Sequence, residues 1–268
     1  LKLKDEFAGY RAFLIDMDGV VWRGSEVIYE AIETVNVLLD IGKYVAFITN
    51  NSTRSRADYV KRLNLIGVNV RPEQVITSGY ATALFVSHNL SLKEVYVIGE
   101  EGLIKELKDA GIHVVGDAEV LLSHVEAVVV GLDRQLTYAK LATALKALHR
   151  GAIFIATNED STLPTERGLM PGAGAIVAAL ACASGKRPDY VIGKPNRWIF
   201  DVALERLGVK RHEVLVIGDR LDTDVMGAYN AGMDSALVLT GVAKPPDIRS
   251  ARPKPRYVLS TLGELLDR

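Results

Sequence analysis

The chain has 268 residues, 49% hydrophobic and 24% charged, which is ordinary globular composition. Thirty-two Lys and Arg balance thirty-three Asp and Glu, so the net charge is −1, and no basic excess argues for nucleic acid or an anionic membrane as a partner. No apolar run approaches the ~18 residues of a spanning helix, the opening LKLKDEFAGYR lacks a signal-peptide apolar region, and the one cysteine, Cys182, cannot form a disulfide within the chain, so a reducing cytoplasm is the expected setting.

In chain order, AFLI (12–15) reads as a strand. YEAIETVNVLLDIG (29–42) reads as a helix with Ile32, Val35, Leu38 and Leu39 on one face and Gly42 as its stop. YVAFIT (44–49) is a second strand, and SRADYVKRLNLIG (55–67) is a helix opened by a Ser cap and closed at Gly67. VYVIG (95–99), EAVVVG (126–131), AIFIAT (152–157), VLVIG (214–218) and SALVLT (235–240) are further buried strands, with helical segments between most of them. Near-continuous Val/Ile/Leu runs in a βαβα order predict parallel strands covered on both faces. Two flexible places, 75–82 and 170–190, bracket a complete alternation of their own. The expectation is an α/β protein with a Rossmann-like, doubly wound parallel core (1–80 and 187–268) and an inserted smaller α/β domain (81–186). The Pro-rich stretch 243–258 reads as a surface crossing to a last short strand and helix. Cys182, in AALACASG, is expected to be a small buried residue.

The chemistry lies where strands stop. AFLI runs into IDMDG, so Asp16 and Asp18 sit at the carboxyl end of a parallel strand, where open sheets bind ligands. Alone, D-x-D-G also opens calcium loops, but the twelfth position here is Val27 rather than Glu. VAFITNNS ends the second strand in Thr49, Asn50 and Asn51; VIGKPN places Lys194 ahead of a helix; VLVIGDRLDTD ends another strand in Asp219, followed by Asp222 and Asp224. Asn and Asp are common turn formers after strands, so each element alone could be structural. Together they form a carboxylate set without His or Cys, which suits Mg²⁺, and a lysine with amides and a threonine suits a metal-bound phosphate. Both signs are needed: an anionic nucleophile ~4 Å from a phosphate anion meets a repulsion of about 4 kcal/mol per charge pair at an effective dielectric of ~20.

DMDGV, TNN, GKP and GDRLDTD resemble the four ordered motifs of the haloacid dehalogenase superfamily, over essentially the whole chain. The insert, with VVVGLDRQLTYAKL and ATNEDSTLPTERGLMPGAGAIVAAL, is similar to the class II (type A) cap of its p-nitrophenyl phosphatase and phosphoglycolate phosphatase subfamily. The resemblance implies a Mg²⁺-dependent phosphatase acting on a small phosphorylated metabolite. Asp16 would be the nucleophile and Asp18 the acid and base. Asp16, the backbone carbonyl of Asp18, Asp219 and Asp224 would hold the metal, while Thr49, Asn50, Asn51 and Lys194 would bind the phosphate. Asp222 is expected at the surface. VVWRGSEVIY (20–29) would form a gating hairpin, in which Trp22 is either core or a substrate contact. The cap loop 158–168 is the segment expected to reach the substrate, although Leu163 stands where relatives can carry a polar contact residue. A homodimer is the expected assembly. Two other readings carry less of the sequence. A phospho-acceptor signalling module lacks the insert and the second aspartate, and a non-catalytic phosphate-binding protein has no need of the intact Asp16, Asp18, Lys194 and Asp219.

Overall fold

The computed structural model describes residues 1–122, 124–165 and 168–267. The helices form where apolar spacing and caps require them. Tyr29–Asp40 buries Ala31, Ile32, Val35 and Leu38 and ends ahead of Gly42, whose φ of +76° suits a residue without Cβ. Arg56–Leu65 opens at a capping box, with Ser55 accepting from the Asp58 N–H while Asp58 accepts from the Ser55 N–H.

Two parallel sheets carry the fold. The larger has six strands, in the order Tyr257–Leu259, Asp234–Val238, Val214–Gly218, Ala12–Asp16, Tyr44–Thr49, Val75–Thr77. Strand Ala12–Asp16 is entirely buried and lies at the point where the order reverses, so its carboxyl end opens into the crevice such sheets use for ligands. The smaller sheet has five strands, in the order Tyr190–Val191, Ile153–Ala156, Ala127–Val130, Glu94–Ile98, His113–Val115. Two antiparallel hairpins add to this: Trp22–Arg23 with Glu26–Val27, and Thr162–Thr165 with Gly168–Pro171. Among the described residues no helix is long and apolar enough to cross a membrane.

Three details differ from the sequence reading. The stretch 75–82 is no flexible joint: Val75–Thr77 is a strand running directly into helix Ser78–Leu84, and every residue from Val75 to Ala83 is buried. Its hydroxyls, which look loop-like in sequence, are satisfied internally. Thr77 caps the Tyr80 N–H, Thr82 donates to the Ser78 carbonyl and Ser78 donates to the Asn50 carbonyl. The stretch 170–190 is likewise ordered, with helix Ala173–Ser184 followed by the edge strand Tyr190–Val191 of the smaller sheet. Cys182 is exposed, because Ile176, Val177 and Leu180 turn the other side of that helix inward.

The two sheets share one apolar layer. It runs from Leu14, Ala46, Ile48 and Val216 of the larger sheet, through Ala81, Val86 and Leu103, to Val95, Val97, Val129 and Ile155 of the smaller. Beside it the elements are pinned by polar contacts. Glu106, on helix Glu101–Asp109, accepts from the Arg56 N–H at 2.7 Å and from Arg56 Nε at 3.2 Å. Gly102 donates to the Thr53 carbonyl at 3.2 Å, and a Cβ added there would lie 2.3–2.5 Å from the Arg54 backbone.

Candidate active site

Adjacent strands deliver the acidic groups. Asp16 ends the strand Ala12–Asp16, and Asp219 follows its neighbour Val214–Gly218. Asp224 lies in the turn Leu221–Val225 just beyond. The carboxylates of Asp16, Asp219 and Asp224, all buried, place one oxygen each within 4.8 Å of one another. Lys194 enters from the loop ahead of helix Arg197–Leu207, its Nζ 2.7 Å from Asp16 Oδ1 and 2.6 Å from Asp224 Oδ1. Burial opposes the ammonium charge, but the two carboxylates outweigh it and raise the Lys194 pKa.

The balance of charge is negative. Burial, reinforced by Asp224 and Asp219 and opposed by Lys194, raises Asp16 well above the usual carboxylate range. Burial and Asp224 push Asp219 up to about 7. Three buried carboxylates against one lysine form a hard oxygen set that a divalent cation neutralises, so the donors fit such an ion. Asp219 is held by the Val242 N–H on Oδ2 (2.7 Å) and packed beneath Gly19 and Gly241. A Cβ at Gly241 would lie 1.9 Å from Asp219 Oδ2, so only glycine allows that approach.

Asn50 organises the opposite side. Its Oδ1 accepts from the Lys194 N–H at 2.7 Å, and its Nδ2 donates to the Lys194 carbonyl at 2.9 Å and to Asp160 at 3.0 and 3.2 Å. The Asn50 amide thus clamps the lysine loop. Asn51 Oδ1 accepts from Thr53 N and Oγ1, and Thr49 Oγ1 accepts from Asn51 N. Thr49, Asn50 and Asn51 all line the cavity with Asp16, Asp18 and Lys194. Asp18 lies outside the three-carboxylate group; burial raises its pKa, and its Oδ1 accepts from Trp22 Nε1 at 2.9 Å. Asp222 is two-thirds exposed and paired with Arg220 at 2.8 Å, away from the carboxylate cluster as expected.

The cap loop supplies what motif reading missed. Asp160 carries no signal in its local sequence, yet it lies in the cavity wall against Asn50, its pKa raised by burial. Arg220 and Leu132 line the same wall, with Leu163 and Thr162 from the hairpin. The cavity they leave is about 60 Å³, room for roughly four to six waters. Trp22 is fully buried, so of its two expected placements the core one is observed.

A buried nucleophile candidate, a bridging lysine and hard-oxygen ligands at the switch point of a capped parallel sheet define a phosphoryl-transfer hydrolase. The comparisons agree. A family model described as haloacid dehalogenase-like hydrolase matches residues 13–113, and one of HAD-like hydrolases matches residues 191–265. An acid sugar phosphatase of Staphylococcus aureus (strain USA300) is 39% identical over 257 residues, 96% of this chain and 97% of that one. The p-nitrophenyl phosphatase from Archaeoglobus fulgidus superposes with a TM-score of 0.89 at 38% identity, covering 96% of this chain and 98% of that one. The glycerol phosphate phosphatase from Mycobacterium tuberculosis, in complex with magnesium, superposes with a TM-score of 0.89 at 36% identity over 98% of this chain and 78% of that one. The chain belongs to the haloacid dehalogenase-like hydrolases. Within them it is a phosphomonoester phosphatase of the p-nitrophenyl phosphatase-like subfamily.

Proposed function

We propose that the chain is a Mg²⁺-dependent phosphatase of small alkyl phosphomonoesters, such as a sugar or glycerol phosphate, working through a phosphorylated Asp16. The observation that carries this is Lys194 bridging Asp16 and Asp224 beside Asp219, at the ends of neighbouring strands. Lys194 orients Asp16, opposes the burial that disfavours its ionised form, and offers its charge to the incoming phosphate. Asp16 attacks phosphorus, the ester P–O bond breaks, and Asp18 protonates the departing oxygen. Asp18 then takes a proton from the water that hydrolyses the aspartyl-phosphate. Thr49 and Asn51 face the phosphate, with Asn50 fixing the lysine loop around it. Asp16, Asp219, Asp224 and the backbone carbonyl of Asp18 would hold Mg²⁺, which supplies charge neutralisation between nucleophile and phosphate.

Relatives named for sugar and glycerol phosphates support the choice of an alkyl phosphate. The insert acts as the substrate-selecting cap and, because Tyr190–Val191 belongs to its sheet, extends past residue 186. A homodimer remains the proposed assembly. The test is phosphate release with and without Mg²⁺ over p-nitrophenyl phosphate, glycerol phosphate, sugar phosphates, phosphoglycolate and a nucleoside monophosphate. Metal-dependent turnover of a compact alkyl phosphate is expected, with Asp16→Asn at least about 10⁴-fold slower. Turnover surviving in Asp16→Asn would sink the reading.

A further inference from the structure

Trp22 is completely buried, but the site gives its indole more to do than fill space. The residue sits in the hairpin that follows the nucleophile strand. Its backbone is fixed on both sides, with Gly19 N donating to the Trp22 carbonyl at 2.7 Å and Trp22 N donating to the Met17 carbonyl at 3.2 Å. Its ring is fixed by helix Arg56–Leu65, which presents Tyr59 and Arg62 one turn apart. The Tyr59 ring lies parallel to the indole, 3° between planes, and the Arg62 guanidinium sits 3.8 Å from the ring centroid while its Nη2 donates to the Gly24 carbonyl at 2.5 Å.

A ring held this firmly aims its one polar atom. Nε1 donates to Asp18 Oδ1 at 2.9 Å. A buried indole N–H that lost its acceptor would bear an uncompensated desolvation cost, so this bond is obligatory for the indole as well as for the carboxylate. Trp22 is the only side-chain hydrogen-bond donor to Asp18 among the described residues. With Oδ1 so engaged, Oδ2 is the oxygen left to meet the leaving group in the cavity that Asp18 lines.

We propose that Trp22 is a positioning residue for Asp18, locking the carboxyl by its Oδ1 so that Oδ2 is aimed at the ester oxygen that departs. The inference rests on Asp18 acting as the acid. The step is then balanced as follows: the Asp16 oxygen–phosphorus bond forms, the ester P–O bond breaks with its electron pair going to the ester oxygen, and that oxygen receives the proton from Asp18 Oδ2. Orientation matters most where the proton matters most. An alkoxide is a poor leaving group and needs the proton in the transition state, whereas p-nitrophenolate departs as a stable anion.

The test compares kcat/KM for glycerol 3-phosphate and p-nitrophenyl phosphate in wild type, Trp22→Phe and Asp18→Asn, all with Mg²⁺. This ratio reports only the steps up to departure of the alcohol, so slow hydrolysis of the aspartyl-phosphate does not mask the effect. In Trp22→Phe the glycerol phosphate value is expected to fall about 30-fold and the nitrophenyl value less than about threefold, a partial loss of the ~10²–10⁴ that general acids contribute. Asp18→Asn is expected to show the same selectivity with a larger loss. Equal falls for both substrates in Trp22→Phe, or no fall, would overturn the positioning role. Asp18→Asn without leaving-group dependence would overturn the acid assignment itself, a separate failure. If Trp22→Phe folds poorly, incorporation of benzothienylalanine in a Trp198→Phe background replaces the N–H by sulfur at nearly constant shape. The same selective loss is expected there, and wild-type behaviour would refute the proposal.

Discussion

The carboxyl ends of two parallel sheets face the same cavity, and they differ in what they place there. The larger sheet brings Asp16, Asp18, Thr49, Asn50, Asn51 and Asp219. The smaller one, built on the same βαβ plan, brings Leu132 and Asn158 from its strand ends, Asp160 just beyond, and Lys194 from the loop that follows Tyr190–Val191. One sheet end carries dense charge locked by mutual contacts. The other carries the lysine that bridges Asp16 and Asp224, an apolar wall, and a carboxylate anchored across the gap to Asn50. Equivalent architecture thus divides the charge: the first end holds the carboxylates, and the second sends one cation across to them and otherwise walls the cavity.

The two ends meet at Lys194. Lys194→Met leaves Asp16 and Asp224 facing each other without a cation, and kcat is expected to fall about 10²–10³-fold for every substrate alike. A loss confined to one substrate would place Lys194 with the cavity wall and not with the carboxylates. Asp160→Ala should do the reverse. It removes a cavity-wall carboxylate and one of the Asn50 amide's partners while leaving its two bonds to Lys194, so kcat/KM is expected to shift about 3–30-fold and by different factors for sugar, glycerol and nitrophenyl phosphates. A uniform drop in kcat would instead place Asp160 with the bond-making groups.

A smaller effect separates the two ends by stability. Asp219 is held up to about 7 by burial and by Asp224, so the folded metal-free chain binds this proton more tightly than the unfolded chain does. Its contribution is complete below about 4, the ordinary carboxylate value, and is lost as pH rises through about 7. The melting temperature of chelator-treated protein is expected to fall from pH 5 to pH 8, and Mg²⁺ to raise it more at pH 8 than at pH 5. A pH-independent Mg²⁺ effect would mean that the cation does not replace that proton. Asp160→Ala should leave the Mg²⁺ increment intact.

The bond-making half was legible in sequence because each group directly follows an apolar strand, and parallel topology sends those ends to one place. Lys194 needed only its loop between Gly193 and Pro195 to stand out. Asp160 did not stand out because its meaning depends on contact with Asn50, 110 residues earlier in the chain. Trp22 looked like core or a substrate contact. Only the distance from Nε1 to Asp18 gives it a third use. The segment 75–82 looked like a joint because Thr, Ser and Gly suggest a turn, whereas its hydroxyl partners lie mostly within the helix itself.

The apolar layer common to both sheets makes the insert a poor candidate for exchange between proteins as a cassette. Val95, Val97 and Leu103 pack into the same cluster as Leu14, Ile48 and Val216, so excising the insert would strip apolar cover from one face of the larger sheet. The inheritance of this catalytic core and the inheritance of its selecting partner are therefore tied. Substitutions in the cavity-lining residues Asp160, Thr162 and Leu163 alter the cavity without disturbing that layer, whereas grafting a foreign domain would disturb it.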